Sequence, residues 1–476
     1  MASFRCVGCS ATTESNSLDP VCGSCGSALV ALSSETPRLG REILEGLPPG
    51  VWRYRAFIPS IREENIVTLG EGGTPLLPAT RLGRELGLRH LLIKDETRNP
   101  TGSFIDRGST VLASLAKEIG VTSCSCVTTG NLGASLAAYC AKAGISAVVR
   151  IHPNTDRGKL YQMIAFGAQV KADSKPATGD ESGGRLLSVT AGNPYLLEGE
   201  KTTCFEIIQD LGWKTPDAIL VPVGTGGHLS MFWRAIQQMK EAGLIDRSKC
   251  RLIGVQLSVS APIEGFRHQR LHRPPSEELF TELNESEPIF RSEAVRAMRE
   301  SGGRGLEATA SETISATGLL ARTEGIFAEP AAASVVACLE TAVSNGVIEA
   351  DEVVVGVITG AGLKDTRAIS RIAKAARQVG VRDDYTLARM RVGETKMELM
   401  RSLSAGPRFG YEMWKGLSAA RKITTASVYQ HLGELEGLTL VRKSGVSTAK
   451  GRERVFYELT GKGSDFLRMA GKIERS

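Results

Sequence analysis

The sequence predicts an α/β protein with two subdomains built on parallel sheets, a small cysteine-rich stretch before them and a basic, mostly helical segment after them. Three observations carry this prediction. Short apolar runs rich in Val and Ile alternate with helical patterns between about residues 34 and 392. Four of the ten cysteines fall in the first 25 residues as two pairs. Residues 391–476 hold 16 Lys and Arg against 9 Asp and Glu; the whole chain carries +6, so the remainder sums to −1. The basic excess belongs to the C-terminal segment, as expected of a segment that meets a polyanion. The expected domains are therefore 1–33, 34–390 and 391–476.

A chain of 476 residues exceeds one ordinary core, and 42% hydrophobic with 23% charged residues is a globular composition. No apolar run is long enough to span a bilayer, and the N-terminus lacks the basic-then-apolar layout of a signal peptide. A cytoplasmic protein with no membrane partner is expected.

At the N-terminus, Cys6-Val7-Gly8-Cys9 and Cys22-Gly23-Ser24-Cys25 form a CxxC…CxxC pair. Each turn presents two thiolates to one ion, and two turns complete a tetrahedral sulfur site, which predicts structural zinc. So short a stretch would hardly fold without such a staple. A redox dithiol would open a helix after a strand, and neither pair does. The six scattered cysteines are expected to be small buried hydrophobes, and no disulfide is assigned.

In the middle of the chain, strands are expected at Leu91–Ile93, Ala147–Ile151, Ala218–Val223, Leu252–Gln256 and Val353–Ile358. Helices such as Ala134–Ala143 and Met231–Glu241 lie between them, the order of βαβ units with sheets buried on both faces. The run Leu91–Ile93 leads into Lys94-Asp95-Glu96, a loop with Asn99-Pro100 and Thr101-Gly102, and a helix from about Asp106. Strand, polar loop and helix start aim backbone N–H groups and hydroxyls at a ligand. Gly224-Thr225-Gly226-Gly227, between a strand and a helix, lets amides approach a phosphate, although such a loop alone is more often a turn. By themselves Asn131 reads equally as a turn or cap residue and Thr359 as a strand-end hydroxyl. His228 reads as a phosphate contact or as a hydrogen-bonded structural histidine.

Taken together these words resemble threonine synthase and its relatives, the fold-type II (tryptophan synthase β-like) pyridoxal-phosphate enzymes. Gly70–Leu76 resembles the family's GEGxTPL, and Lys94–Phe104 its KDE and NPTGSF. Thr128–Ser135 resembles SSGNxxAS, and Leu197-Glu198-Gly199-Glu200-Lys201-Thr202 matches LEGQKT. Glu324–Pro330 matches EGIFxEP, and Thr359–Asp365 matches TGxGLKD. Many threonine synthases also carry a similar zinc knuckle. The resemblance implies that Asn131 lies beside the cofactor's phenolic oxygen, that Gly224, Thr225, Gly226 and Gly227 hold its phosphate, and that Thr359 faces its ring nitrogen. It also implies that the lysine forming the Schiff base belongs where this chain has Ile105. Isoleucine offers no nucleophile and no base, and losing a general base alone costs about 10²–10⁴ in rate. Lys94, Lys201 and Lys364 sit where relatives that keep the catalytic lysine also have lysine, so none is a relocated replacement. No catalytic residue is assigned. Pyridoxal phosphate held non-covalently, or a small amino-acid or phosphorylated ligand, is what the resemblance leaves open. The alternative is an active enzyme converting O-phosphohomoserine to threonine and phosphate.

At the C-terminus a helix over Glu394–Leu403 and a second from Phe409 are expected. A third over Thr425–Leu435 is capped by Thr424 or Thr425, and Leu438–Val441, a polar loop Arg442–Arg454 and Val455–Leu459 follow. Three helices and then a basic-tipped hairpin are the order of a winged helix-turn-helix, and the words AGPRFGYEM, TTASVYQHLGELEGL and RERVFYELT resemble PadR-type regulators. The resemblance implies a recognition helix in the major groove and a wing on the DNA backbone. Ser427, Tyr429, Gln430 and His431 are the base-side or phosphate-side candidates, and Lys443, Lys450, Arg452 and Arg454 the phosphate contacts. A homodimer is expected, because paired wings match a palindromic site.

Overall fold

The computed structural model describes residues 2–15, 18, 21–32, 36–152, 155–172, 185–246, 249–257, 288–366, 368–369, 393–418, 423–449 and 452–473. Internal contacts divide the chain into Met1–Lys374 and Ala375–Ser476; the seam expected at residues 390 and 391 lies outside the described residues.

The first unit opens with β1 (Ala2–Cys6), β2 (Thr12–Ser15) and β3 (Leu29–Leu32), an antiparallel sheet in the order β2-β1-β3. This sheet shares the core of the body: Phe4, Cys6, Leu18, Cys22 and Leu29 are buried in one cluster with Val111, Leu112 and Leu136. Phe4 meets Tyr195 edge-on at 5.9 Å, and both Arg5 N–H ends reach Glu293 at 3.2 and 3.0 Å. A metal staple is therefore not the only support of this stretch.

The body continues with β4 (Leu76–Pro78), β5 (His90–Asp95), β6 (Ser123–Thr128), β7 (Ser146–Ile151), β8 (Gln169–Lys171) and β9 (Leu186–Val189). Then come β10 (Ala218–Pro222), β11 (Arg251–Leu257), β12 (Arg304–Ala308) and β13 (Val353–Ile358). One sheet runs β12-β11-β10-β13-β5-β4, parallel except for the edge strand β4, whose Pro78 suits an edge because it has no N–H to donate. The other, β8-β7-β6-β9, is parallel throughout. Helices cover both sheets. Every residue of β10 is buried, which is why the strand reads as an unbroken apolar run and not as an alternation.

Packing between the two layers is close. Helix Pro194–Glu200 lies against helix Asp106–Glu118, and a Cβ added at Gly199 would stand 1.9 Å from the Arg107 carbonyl oxygen. Only glycine permits that approach. Arg107, fully buried, donates to Glu96 at 2.6 and 2.8 Å and to Glu206 at 2.8 and 2.6 Å. Burial works against all three charges, but the pairing wins: Arg107 stays charged and both carboxyls are held below their usual range.

In the second unit, helices Glu394–Leu403, Gly410–Ser418, Thr425–Gly437 and Gly461–Ile473 surround Leu399, Met413, Val428, Leu432, Leu435 and Phe466. The sheet is β14 (Arg408–Phe409), β15 (Val441–Ala449) and β16 (Arg452–Leu459), in the order β14-β16-β15. The expected polar loop Arg442–Arg454 is corrected here: nearly all of it is paired strand, with Val441 opposite Leu459 and Ala449 opposite Arg452. The basic-tipped hairpin is there, but its alternation of small, basic and hydroxyl residues hid how far the strands run; the first is exposed along most of its length. The segment Leu438–Val441 is mostly the turn after the helix, with Thr439 at φ 59°, and only Val441 belongs to β15.

Candidate functional site

The parallel strands of the first unit end at a common cavity of about 380 Å³, a volume suited to a small molecule. Residues just past the C-terminal ends of β5, β6, β7, β9, β10 and β13 line it, as expected of open parallel sheets. The loop after β5 gives Phe104 and Ile105, β6 and the following helix give Thr128, Thr129, Asn131 and Leu132, and β7 gives His152. From β10 come Gly224, Thr225 and Gly226, with His228 and Leu229 beyond, while Thr359 follows β13 and Glu200 and Glu329 complete the polar wall.

At one end stands the glycine loop. Gly226 adopts φ 87°, a left-handed turn that favours glycine, and its Cβ would lie 2.9 Å from the Phe290 carbonyl oxygen. The turn leads into helix Gly227–Glu241, whose first N–H groups have no partner within the helix. His228 stacks on Phe104 with ring centroids 4.1 Å apart, and its Nε2 lies 3.5 Å from Thr203 Oγ1. Its Nδ1 is buried with no partner. Burial pushes its pKa down to about 3, so it is neutral, a polar edge next to an N-terminal dipole suited to an anion. Gly227 itself sits at the helix start behind Thr225, whose hydroxyl accepts its N–H at 3.3 Å.

Asn131 heads its helix, buried, and donates through Nδ2 to Glu329 at 3.0 and 3.2 Å, while its Oδ1 is left without a partner. Lys159 pairs with the same Glu329 at 3.4 Å. The loop 94–108 contributes differently from expectation. Its amides turn inward: the Thr101 N–H donates to Asp106 at 2.7 Å and the Phe104 N–H to the Thr359 carbonyl at 3.0 Å. The Thr101 and Ser135 hydroxyls also donate to Asp106, at 2.7 and 2.6 Å. What this loop gives the cavity is the side chains of Phe104 and Ile105.

Among the described residues lining the cavity there is no lysine. Lys94 is buried away from it, donating to the Thr74 carbonyl at 2.7 Å and pairing with Glu206 at 2.9 Å and Asp210 at 3.2 Å. Lys201 is paired with Glu198. Lys364 donates to the Thr101 carbonyl at 2.8 Å. Burial lowers the pKa of both Lys201 and Lys364 to about 8, yet each amine is held elsewhere.

The cavity fits a phosphorylated aromatic ligand: an anion cradle at one end, apolar walls of Phe104, Ile105, Leu132 and Leu229, and unsatisfied Asn131 Oδ1 and His228 Nδ1 between them. It does not fit covalent attachment through a lysine.

The four N-terminal sulfurs lie within 4.8 Å of one another. Cys6 and Cys25 Sγ are 3.4 Å apart and those of Cys9 and Cys22 3.6 Å, near the roughly 3.8 Å edge of a tetrahedral zinc–thiolate site. The Gly8 and Cys9 N–H groups donate to Cys6 Sγ at 3.3 and 3.4 Å, which stabilises a thiolate.

In the second unit Thr424 caps the third helix, accepting the Ser427 N–H at 3.2 Å. Val428, Leu432 and Leu435 face the core, Tyr429 and Gln430 are exposed, and Ser427 and His431 are half-buried. Tyr429 lies over Gly410, where an added Cβ would come within 2.5 Å of its ring. Gln430 donates to Glu434 at 3.0 Å, and His431 lies 3.6 Å from the same carboxylate. Lys443 pairs with Glu436 at 3.3 Å, and Arg454 lies 4.8 Å from the Phe409 ring centre. Lys450 and the side chain of Arg452 lie outside the described residues.

Two largely parallel sheets whose strands end at a shared cavity beside a glycine loop are the architecture of the fold-type II class of pyridoxal-phosphate proteins. Residues 67–360 match the family described as pyridoxal-phosphate dependent enzyme, and residues 399–469 the transcriptional regulator PadR-like family. The chain is 37% identical to threonine synthase of Methanocaldococcus jannaschii, over 78% of this chain and 95% of that one. It is 36% identical to threonine synthase of Methanosarcina acetivorans, over 78% and 94%. The structure of the processed form of threonine deaminase isoform 2 from Solanum lycopersicum matches with a TM-score of 0.53 at 17% identity, over 74% of this chain and 99% of that one, a likeness of fold alone. The chain belongs to the pyridoxal-phosphate dependent enzyme family, with threonine synthases among its relatives, and carries a PadR-like domain at its C-terminus.

Proposed function

We propose that this protein is a ligand-responsive DNA-binding transcriptional regulator in which a threonine-synthase-like body serves as the sensor. The observation that carries this reading is the cavity lining, which combines a glycine-loop anion cradle with Ile105 and has no lysine among the described residues that line it. Asn131, Gly224–Gly227 and Thr359 are the residues that would hold pyridoxal phosphate, non-covalently. When bound, that group supplies an electron sink to amino-acid chemistry, but such chemistry needs an amine to anchor the group and to move protons. Ile105 does neither. What the chain's own residues would do is bind: the loop amides and His228 would hold a phosphate, the unpartnered Asn131 Oδ1 would offer an acceptor, and the apolar walls would exclude water.

The PadR-like domain supports the output. Tyr429 and Gln430 on the third helix are the base-side candidates, with Ser427 and His431 at their flank. Lys443, Lys450, Arg452 and Arg454 along the hairpin meet phosphates, in a two-fold dimer on a palindromic site. The cysteine cluster holds structural zinc, a closed site with four protein ligands.

A gel-shift titration on DNA upstream of its own coding region tests this reading. Salt-dependent binding is expected, and Lys443→Ala should lower the slope of log K on log salt by about 1. Absence of binding by the purified protein sinks the proposal. The relatives' identity as threonine synthases favours a second reading, an active enzyme that releases phosphate from O-phosphohomoserine. Phosphate release by the natural protein would establish that reading; if release and a visible protein-linked chromophore appear only in Ile105→Lys, it is excluded.

A further inference from the structure

One polar group in the cavity has no task within the protein. Glu200 lines the cavity and is 6% exposed, and its carboxyl has neither a hydrogen bond nor an ion pair among the described residues. The other charges nearby are settled. Glu198 is paired with Lys201 and with Arg234 at 3.4 Å, and Glu329 is held by Asn131 and Lys159. The word Leu197–Thr202 otherwise follows LEGQKT, and Glu200 stands at its glutamine. A glutamine fills the same volume without ionising, so packing gives no reason for a carboxyl here. Burying one unpaired is costly, and it persists where a bound partner satisfies it.

Gly199 packs against the Arg107 backbone, and Glu200 and Ile105, one and two residues from that contact in sequence, both line the cavity. The cavity thus has an anion cradle, apolar walls for a ring, and a carboxyl that awaits a cation.

We propose that Glu200 recognises an ammonium group, and that the cavity's ligand is a phosphorylated primary amine, the amine coming from the ligand and not from the protein. This rests on the reading of the cavity as a non-covalent phosphate-ligand site. The apolar walls favour an aromatic amine over an aliphatic one. Burial alone pushes the Glu200 pKa up to about 8 in the absence of a partner, so the ligand's ammonium ionises the group as it binds.

The test compares two probes that differ only in the amine, pyridoxamine phosphate and deoxypyridoxine phosphate, by calorimetry on the full-length protein. The amine-bearing probe should bind at least about tenfold tighter, as a charge-assisted hydrogen bond exceeds a neutral contact. Glu200→Gln should abolish that preference while retaining affinity for both probes, and Glu200→Asp should restore part of it. O-phosphohomoserine as competitor distinguishes the aliphatic source, and displacement at lower concentration than pyridoxamine phosphate would overturn the aromatic assignment. Equal affinity of the two probes for the natural protein, or a preference unchanged in Glu200→Gln, overturns the role of Glu200 but leaves the cavity reading intact. If neither probe binds, both fail.

Discussion

Among the residues lining this cavity, Ile105 and Glu200 are the departures from the quoted words that change charge, and their chemistry points the same way. One removes an amine from the protein and the other leaves an acid without a partner. The stability of the protein should register the second change. Because the folded-state pKa of Glu200 lies near 8 against an ordinary 4.5, the folded state holds its proton more tightly than the unfolded state does. That contribution is present at low pH and is lost as the pH rises from about 4.5 through 8. In the absence of ligand, Glu200→Gln should therefore match the natural protein in melting temperature near the lower value and exceed it progressively toward the upper one. Arg107 shows the opposite case, a buried charge with every donor direction answered. Arg107→Met leaves Glu96 without its cation and Glu206 with Lys94 alone, and should cost about 3–5 kcal/mol in denaturant unfolding. The absent lysine was legible as a departure from a motif. The role of Glu200 was not, because a Glu for Gln exchange gains meaning only when the neighbours of the side chain are known.

At the level of elements, five of the ten strands in the two larger sheets were readable from their Val- and Ile-rich runs, most directly β10, whose burial on both faces leaves no alternation to misread. The expected runs lie within β5, β7, β11 and β13, and that at Ala218–Val223 extends one residue past β10. The hairpin β15–β16 was readable as a basic-tipped hairpin but not in its extent, because polar residues on an exposed ribbon look like a loop. Nor was the inward use of the 94–108 amides, which depends on Asp106 and the Thr359 carbonyl meeting from distant positions. The CxxC turns needed only their spacing to be found. Metal analysis of the purified protein should give about one zinc per chain, and Cys9→Ser should abolish it. Because β1–β3 share the core of the body, that variant should lower the melting temperature without unfolding the sheets of the cavity, as far-UV circular dichroism would report.

On the scale of the whole molecule, the chain joins a member of the pyridoxal-phosphate dependent enzyme family to a PadR-like domain. Among the described residues no helix is long and apolar enough to cross a membrane. A sensor and a reader in one polypeptide are useful only if each feels the other's ligand, and linkage requires that coupling to be reciprocal. The measurement that tests this most directly is the affinity of the purified protein for its upstream DNA, with and without saturating pyridoxamine phosphate, at fixed salt. A change in Kd of at least about fivefold is expected, the lower end of ordinary allosteric coupling, with the ligand concentration that produces half of it raised in Glu200→Gln. Superimposable DNA-binding curves in the presence and absence of a ligand known to occupy the cavity would contradict it.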